Sequence, residues 1–198
     1  MTLILASSSV YRRELLQRLR LPFQSRSPDV DERPLPGESP RDLAWRLARE
    51  KADRVLADHP GALVIGSDQV AACEGQAIGK PGTHEAARAQ LQRFSGREVR
   101  FHTAVCVTDG QSHLQDEITT ECEFLPLSAA QIEHYLRTEQ PYDTAGSAKA
   151  EALGIALMAR MRSDDPTALI GLPLIAVCRM LRAFGLDPLG SSEPTPSA

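Results

Sequence analysis

Five separated points of the chain carry side chains that could do chemistry together. The first is Leu3-Ile-Leu-Ala-Ser-Ser-Ser-Val-Tyr-Arg-Arg13, where a short apolar run breaks into three serines and then two adjacent arginines. This order reads as a strand, a hydroxyl-rich turn and the first turn of a helix, a junction that gathers N–H groups, hydroxyls and guanidinium forks around an anion such as phosphate. Taken alone, it reads first as an ordinary strand-to-helix turn with solvated arginines. Lys51 falls on the row Leu43, Leu47, Lys51, Val55, so helical geometry turns it toward an apolar face, where it must find a partner or snorkel out. Asp68 shares one face of an apolar strand with Val64, Gly66 and Val70, and an unpaired carboxylate there is costly unless the strand opens into a cleft. Lys80 sits between Gly79 and Pro81, and Glu32 lies in an acidic loop. Lysines and arginines from separate segments could hold a polyphosphate, while Glu32 and Asp68 could bind a divalent cation and activate water.

The elements that must position these groups alternate between strand and helix. After the first strand, Leu15, Leu16 and Leu19 define an amphipathic helix over 10–21, closed by Pro22. The stretch 27–37 is too rich in proline and charge for regular structure, and Ser39-Pro40 opens a helix that His59-Pro60-Gly61 stops near Asp58. A strand over 62–73 turns at Glu74-Gly75 into Gln76-Ala-Ile-Gly, and Thr83 caps a helix that ends at Ser95-Gly96. Two long strands over 98–109 and 112–125 form a hairpin, and Ser128 with Gln131 makes a capping box for the next helix, ended by Gln140-Pro141. A small-residue loop over 142–151, a strand over 154–161 and an amphipathic helix over 172–184 complete the pattern. The fold class expected is α/β, a mixed twisted sheet with flanking helices and two lobes around a central cleft.

The chain has 198 residues, enough for one well-buried domain, expected over 1–190, and the tail 191–198 is expected to be disordered. Apolar residues at 42% and charged residues at 24% are ordinary for a globular protein, and no apolar stretch is long enough to cross a bilayer. The N-terminal apolar run is short and lacks a basic stretch before it, so a cytoplasmic location is expected. Cys73, Cys106, Cys122 and Cys178 are scattered, which argues against a zinc knuckle or disulfide framework and for reduced core residues. The histidines show no metal-binding spacing. A formal charge of −4 gives no global attraction for a nucleic-acid polymer and favours a small anionic ligand met by a local basic cluster.

In this order, Ser7-Ser-Ser-Val-Tyr-Arg-Arg13, Asp31-Glu32, Glu50-Lys51-Ala52, Gly66-Ser-Asp-Gln69, Gly79-Lys-Pro81 and Ala145-Gly-Ser147 resemble the motifs of the Maf-like nucleoside triphosphate pyrophosphatases. The likeness runs to Gly171-Leu-Pro173 and the helix after it. It implies a two-lobed fold like that of Maf and inosine triphosphatase proteins, and hydrolysis of a nucleotide between its α and β phosphates. It also implies Asp68 as the catalytic carboxylate, acting as general base on the attacking water or through the metal, Glu32 with Asp68 as metal ligands for magnesium, manganese or cobalt, and Ser7, Ser9, Arg12, Arg13, Lys51 and Lys80 as substrate-binding positions. Val10 stands where many members have proline. A small-molecule nucleotide substrate, no nucleic-acid or membrane partner, and a homodimer complete these expectations.

Within that family, Gly66-Ser-Asp-Gln69 and an aromatic before the paired arginines resemble the branch acting on 7-methyl-GTP. The dTTP/UTP branch tends to have Gly-Ala-Asp-Thr and an arginine in place of Tyr11. Methylation at N7 makes guanine cationic, so Tyr11 would gain a cation–π term, Glu151 could accept from N1–H and the amino group, and Gln69 would add an adaptable amide. Two alternatives stay open from the sequence: a dTTP/UTP pyrophosphatase, and a nucleotide-binding regulator of cell division without turnover.

Overall fold

The computed structural model describes residues 1–190, and the tail expectation over 191–198 lies outside them. Within the described residues the order is β1 (Leu3–Ala6), α1 (Val10–Gln17), β2 (Gln24–Arg26), α2 (Pro40–Asp58), β3 (Leu63–Cys73), β4 (Gln76–Ile78), α3 (His84–Phe94), β5 (Glu98–Thr108), β6 (His113–Phe124), α4 (Ala129–Glu139), β7 (Met158–Arg162) and α5 (Leu174–Ala183). Short 3-10 turns occur at Ala145–Ser147, Leu153–Leu157 and Ala168–Ile170. The strands make one mixed sheet in the order β2-β1-β3-β5-β6-β7, with β4 also on β3. β1 runs parallel to β2 and β3, and the remaining pairs are antiparallel. This is the mixed α/β sheet with flanking helices that the sequence leads one to expect. None of the described helices is long and apolar enough to cross a membrane.

The direction of chain travel reverses at β1, since α1 leads outward to β2 and α2 leads back across to β3. Alternation sends Leu3, Leu5, Leu63 and Ile65 to one face under α1 and α5, and Ile4, Ala6 and Val64 to the other under α2. Helices leaving such a switch toward opposite faces open a crevice beyond the strand's carboxyl end. Here that crevice continues into the sheet. β1 pairs with β3 only as far as Gly66, and β4 begins pairing at Ala71, so residues 67–70 have a strand partner on the β5 side alone.

The face carrying α1 and α5 has a second apolar core farther along, where α3 and α4 cover Ala71, Cys73, Val99, Phe101, Cys122 and Phe124. Buried Ser67 and Thr103, with half-buried Gln69, stand between these two cores and separate the lobes. A loop through Ala168–Gly171 is tied across the seam. The Gln69 amide nitrogen lies 3.0 Å from the Ala168 carbonyl and 2.9 Å from that of Leu169, and Ser67 Oγ reaches the carbonyls of Ala104 at 2.8 Å and Gly171 at 3.1 Å.

Three local expectations need correction. α1 ends at Gln17 rather than near Leu21, because Arg18, Leu19 and Arg20 close 3-10-type bonds and Arg20 turns left-handed at φ 58°, while Leu19 and Leu21 still pack on the core. β2 was not anticipated: three polar residues on a sheet edge carry no alternation to detect. The stretch from Gly154 begins as a 3-10 turn and becomes strand only at Met158. The four thiols are free; Cys73, Cys106 and Cys122 are buried, and burial pushes Cys106 and Cys122 up to about 12.

Candidate active site

β1 ends at Ala6, and the chain turns through Ser7-Ser8-Ser9 into α1. Ser7 is buried, and its hydroxyl accepts from Ser9 N at 3.1 Å. Ser9 caps α1 by accepting from Arg12 N, which leaves the turn's remaining backbone facing the crevice. The paired arginines then diverge. Arg12 precedes buried Leu15 and Leu16 by three and four positions, so it shares their inward stripe, and its Nε donates to the Gly171 carbonyl at 2.8 Å. Burial lowers its guanidinium below the ordinary value, while the charges of Asp68 and Glu32 pull it back up. Arg13, one position on, is exposed and does not line the cavity.

α2 brings Lys51 to the same place. Its inward row lies on Val64, Ala104 and Cys106, and the approach to β3 is close at Gly66. A Cβ there would lie 2.2 Å from the Ala48 carbonyl oxygen and 2.7 Å from Ala52 N, so any side chain would drive the helix off the strand. Two residues along the same face stands Asp68, in the stretch of β3 that is paired with β5 alone and open on its other edge. Lys51, only 4% exposed, sets its Nζ 2.6 Å from Asp68 Oδ1 and 2.6 Å from Glu32 Oε1. The inward lysine therefore meets two carboxylates from different segments. Partial burial would raise the Glu32 carboxyl, but the Lys51 hydrogen bond and the charges of Lys51, Lys80 and Arg12 hold it below the usual range.

These groups line one cavity of about 930 Å³ with Ser7, Ser9, Tyr11, Gln69 and Lys80. Lys80 is exposed at its wall, on a loop whose Gly79 carbonyl accepts from Gln90 Nε2 at 3.0 Å. Gln90 in turn accepts from the buried Ser147 hydroxyl, so one α3 side chain ties Gly79-Lys80-Pro81 to Ala145-Gly-Ser147. Gln90 was not singled out from the sequence, although its place one helical turn before Phe94 offered little to distinguish it. Asp165 was also missed. It is 1% exposed and accepts from Thr167 N at 2.9 Å and Ile175 N at 2.7 Å, organising the loop that carries Gly171.

The expected base-recognition residues are placed unevenly. Tyr11 lines the cavity, with Lys149 Nζ 6.0 Å from its ring centroid. Gln69 lines it too, but its amide nitrogen is directed to Thr103 and the Ala168 and Leu169 carbonyls. Glu151 is exposed and outside the lining; burial pushes the nearby Tyr135 phenol up to about 12 against a hydrogen bond from Lys149 N, with smaller contributions from the charges of Glu139, Glu151 and Tyr11.

A family model described as Maf-like protein matches residues 2–184. The chain belongs to the Maf family. Among curated relatives of this Maf-family chain, the 7-methyl-GTP pyrophosphatase of Bordetella pertussis is 66% identical over 187 residues, covering 94% of each chain. Proteins of the same name from Ralstonia nicotianae and Cupriavidus metallidurans are 58% identical over 91% of this chain and 94% of theirs, and 57% identical over 96% of both. No group of three or more His, Cys, Asp or Glu side chains among the described residues could by itself hold a metal ion. The acidic oxygens of Glu32 and Asp68 nevertheless suit a hard divalent cation that takes its other ligands from phosphate and water.

Proposed function

We propose that this Maf-family chain is a nucleoside triphosphate pyrophosphatase that hydrolyses 7-methyl-GTP to 7-methyl-GMP and diphosphate, removing a modified nucleotide from the pool. The observation that carries the reading is Asp68, a buried carboxylate paired with Lys51 at the split in the sheet and opening into a cavity large enough for a nucleotide. Full-length relatives at 57–66% identity bearing that activity in their names support the substrate.

In this reading the triphosphate lies along the cavity between the Ser7–Ser9 turn and the Lys80 loop. Ser7, Ser9 and Arg12 bind phosphate oxygens, and Lys51 and Lys80 neutralise charge on the departing diphosphate. Arg13 could contribute only at longer range from its exposed position. Asp68 takes the proton of the water that attacks the α-phosphorus, and the Pα–O bond to the β-phosphate breaks with its electron pair leaving on diphosphate. Glu32 and Asp68 would hold a magnesium, manganese or cobalt ion, which when bound supplies neutralisation of the phosphates and polarisation of water. Tyr11 stacks the cationic base. Glu151 meets the guanine edge when the 142–151 loop folds inward, and Gln69 acts through the Ala168–Leu169 carbonyls it holds as much as through direct contact. A cytoplasmic homodimer without nucleic-acid or membrane partners belongs to the same reading, supported for nucleic acid by the charge of −4.

The test is diphosphate release from 7-methyl-GTP, GTP, dTTP and UTP, with magnesium, manganese and cobalt in turn. Preference for 7-methyl-GTP is expected. Turnover of dTTP and UTP instead would overturn the base pocket while keeping the reaction, and tight nucleotide binding without turnover would replace the enzyme by a regulator.

A further inference from the structure

Lys51 bridges the two carboxylates of the cleft that come from different segments. Its ammonium lies 2.6 Å from a Glu32 oxygen and 2.6 Å from an Asp68 oxygen, and its side chain is 5% exposed. These are the same two carboxylates to which the proposed function gives the divalent cation, so this inference rests on that reading. An ammonium and a divalent cation cannot share two carboxylates at such distances without strong repulsion. Lys51 also has no route to solvent along its own helix, since Leu47 and Val55, one turn to either side on its row, are buried against the sheet.

We infer that Lys51 is the resident cation of the free site, and that a divalent ion is admitted to Glu32 and Asp68 only together with a triphosphate, which draws the Lys51 ammonium onto its own oxygens. Two further observations lead to the same conclusion. The protein offers two carboxylates and no larger acidic cluster among the described residues, so the remaining ligands must arrive on the substrate, as is usual for magnesium at phosphate sites. The cavity lining also sets Arg12, Lys51 and Lys80 against Glu32, Asp68 and Asp143, so it carries no net negative charge to draw in a lone cation until phosphate supplies it. Metal and nucleotide are then thermodynamically coupled, each tightening the other by the same factor. The device keeps the carboxylates paired in the free protein and guards against a metal ion bound without substrate.

The test is manganese binding, followed by the electron paramagnetic resonance signal of the free ion, in wild type, Lys51→Met and Lys80→Met. Each protein is titrated alone and with an α,β-methylene analogue of 7-methyl-GTP. Because that analogue chelates manganese itself, the arms without nucleotide decide. Lys51→Met alone should bind manganese at least about tenfold more tightly than wild type alone, and Lys80→Met, which removes the same charge without touching either carboxylate, should tighten it by clearly less than Lys51→Met does. The tightening produced by the analogue should be large in wild type and mostly lost in Lys51→Met. Should Lys51→Met fail to fold, Lys51→Gln, which removes the charge and keeps an N–H donor, replaces it in the arms without nucleotide. Equal manganese affinity of the folded Lys51 variant and wild type without nucleotide overturns the inference and leaves the metal-dependent reaction standing. Absence of manganese binding in every arm overturns both the inference and the metal assignment beneath it.

Discussion

Two clusters of charge flank α2 on the same face of the sheet. At its middle, Lys51 bridges Glu32 and Asp68 at the wall of the large cavity, with Arg12 and Lys80 facing the same space. Near its N-terminus, beside a smaller cavity of about 560 Å³, Glu117 accepts from Thr119 Oγ1 at 2.7 Å and Arg41 Nε at 3.1 Å and lies 3.0 Å from His102 Nδ1. Both clusters contain a carboxylate that is nearly inaccessible, 10% exposed for the Asp68 side chain and 5% for Glu117. They differ in what is left over. Around Glu117 the cations are already answered, with Arg100 paired to Glu98 and Glu121 and Arg97 to Glu74. In the cleft, Glu32 and Asp68 are both taken by Lys51, Arg12 donates only to a backbone carbonyl, Lys80 has no carboxylate partner among the described residues, and 67–70 of β3 have an open edge. A charge cluster that completes itself stabilises a fold; one that leaves cations over has been built for something that is not part of the chain.

That contrast is broken most directly by Asp68→Asn. Diphosphate release should fall by at least about 100-fold while thermal melting stays near wild type, because Lys51 keeps Glu32 as its partner. Comparable activity in the variant would remove Asp68 from the chemistry. Lys80→Ala comes next: losing one charge-assisted contact of about 1.5–3 kcal/mol should reduce kcat/KM by roughly 10- to 100-fold, with no change in melting, since this side chain is exposed. Tyr11→Ala should narrow the preference for 7-methyl-GTP over GTP by about 3- to 30-fold, the size of a partly desolvated cation–π contact, and equal losses on both nucleotides would move base recognition elsewhere.

The smallest catalytic effect, and the sharpest control, is expected from Glu117→Gln. It should cost about 1–2 kcal/mol of stability with kcat unchanged. Burial would raise the Glu117 carboxyl, but hydrogen bonds from His102 and Thr119, the His102 charge and Arg41 hold it below its ordinary 4.5. Its contribution is therefore complete above that unfolded value and disappears as pH falls through the lower folded one. Melting temperatures measured from about pH 6 down to about pH 3 should show a steeper acid decline in wild type than in Glu117→Gln. A parallel decline would place the acid-labile stability in another carboxylate.

Much of the positioning was legible because it is local. Ser39, Thr83 and Ser128 cap the helices the sequence assigns to them, the last with its full capping box. The 43, 47, 51, 55 row and the 64, 66, 68, 70 alternation announce that Lys51 and Asp68 point inward. The choice between the arginines was available in principle, since only Arg12 lies three and four positions before both buried leucines of α1. Less legible were Gln69, whose amide nitrogen is directed to backbone carbonyls a hundred residues away in the chain, and Gln90, which ties two loops through hydrogen bonds that no periodicity foreshadows.

The sequence by itself determined the kinds of groups at the site and the faces of the elements that bear them, because helix and strand periods are short-range and the apolar residues print them directly. It also determined that an inward lysine and an inward carboxylate each needed a partner. Only the tertiary structure decided that they are each other's partner, that Glu32 from an aperiodic loop joins them, and that Glu151 stands outside the cavity's lining. The split at 67–70 of β3 was likewise decided there. Strand pairing is a long-range choice, fixed by which apolar faces can be buried together, and no local run of residues records where one neighbour ends and the next begins.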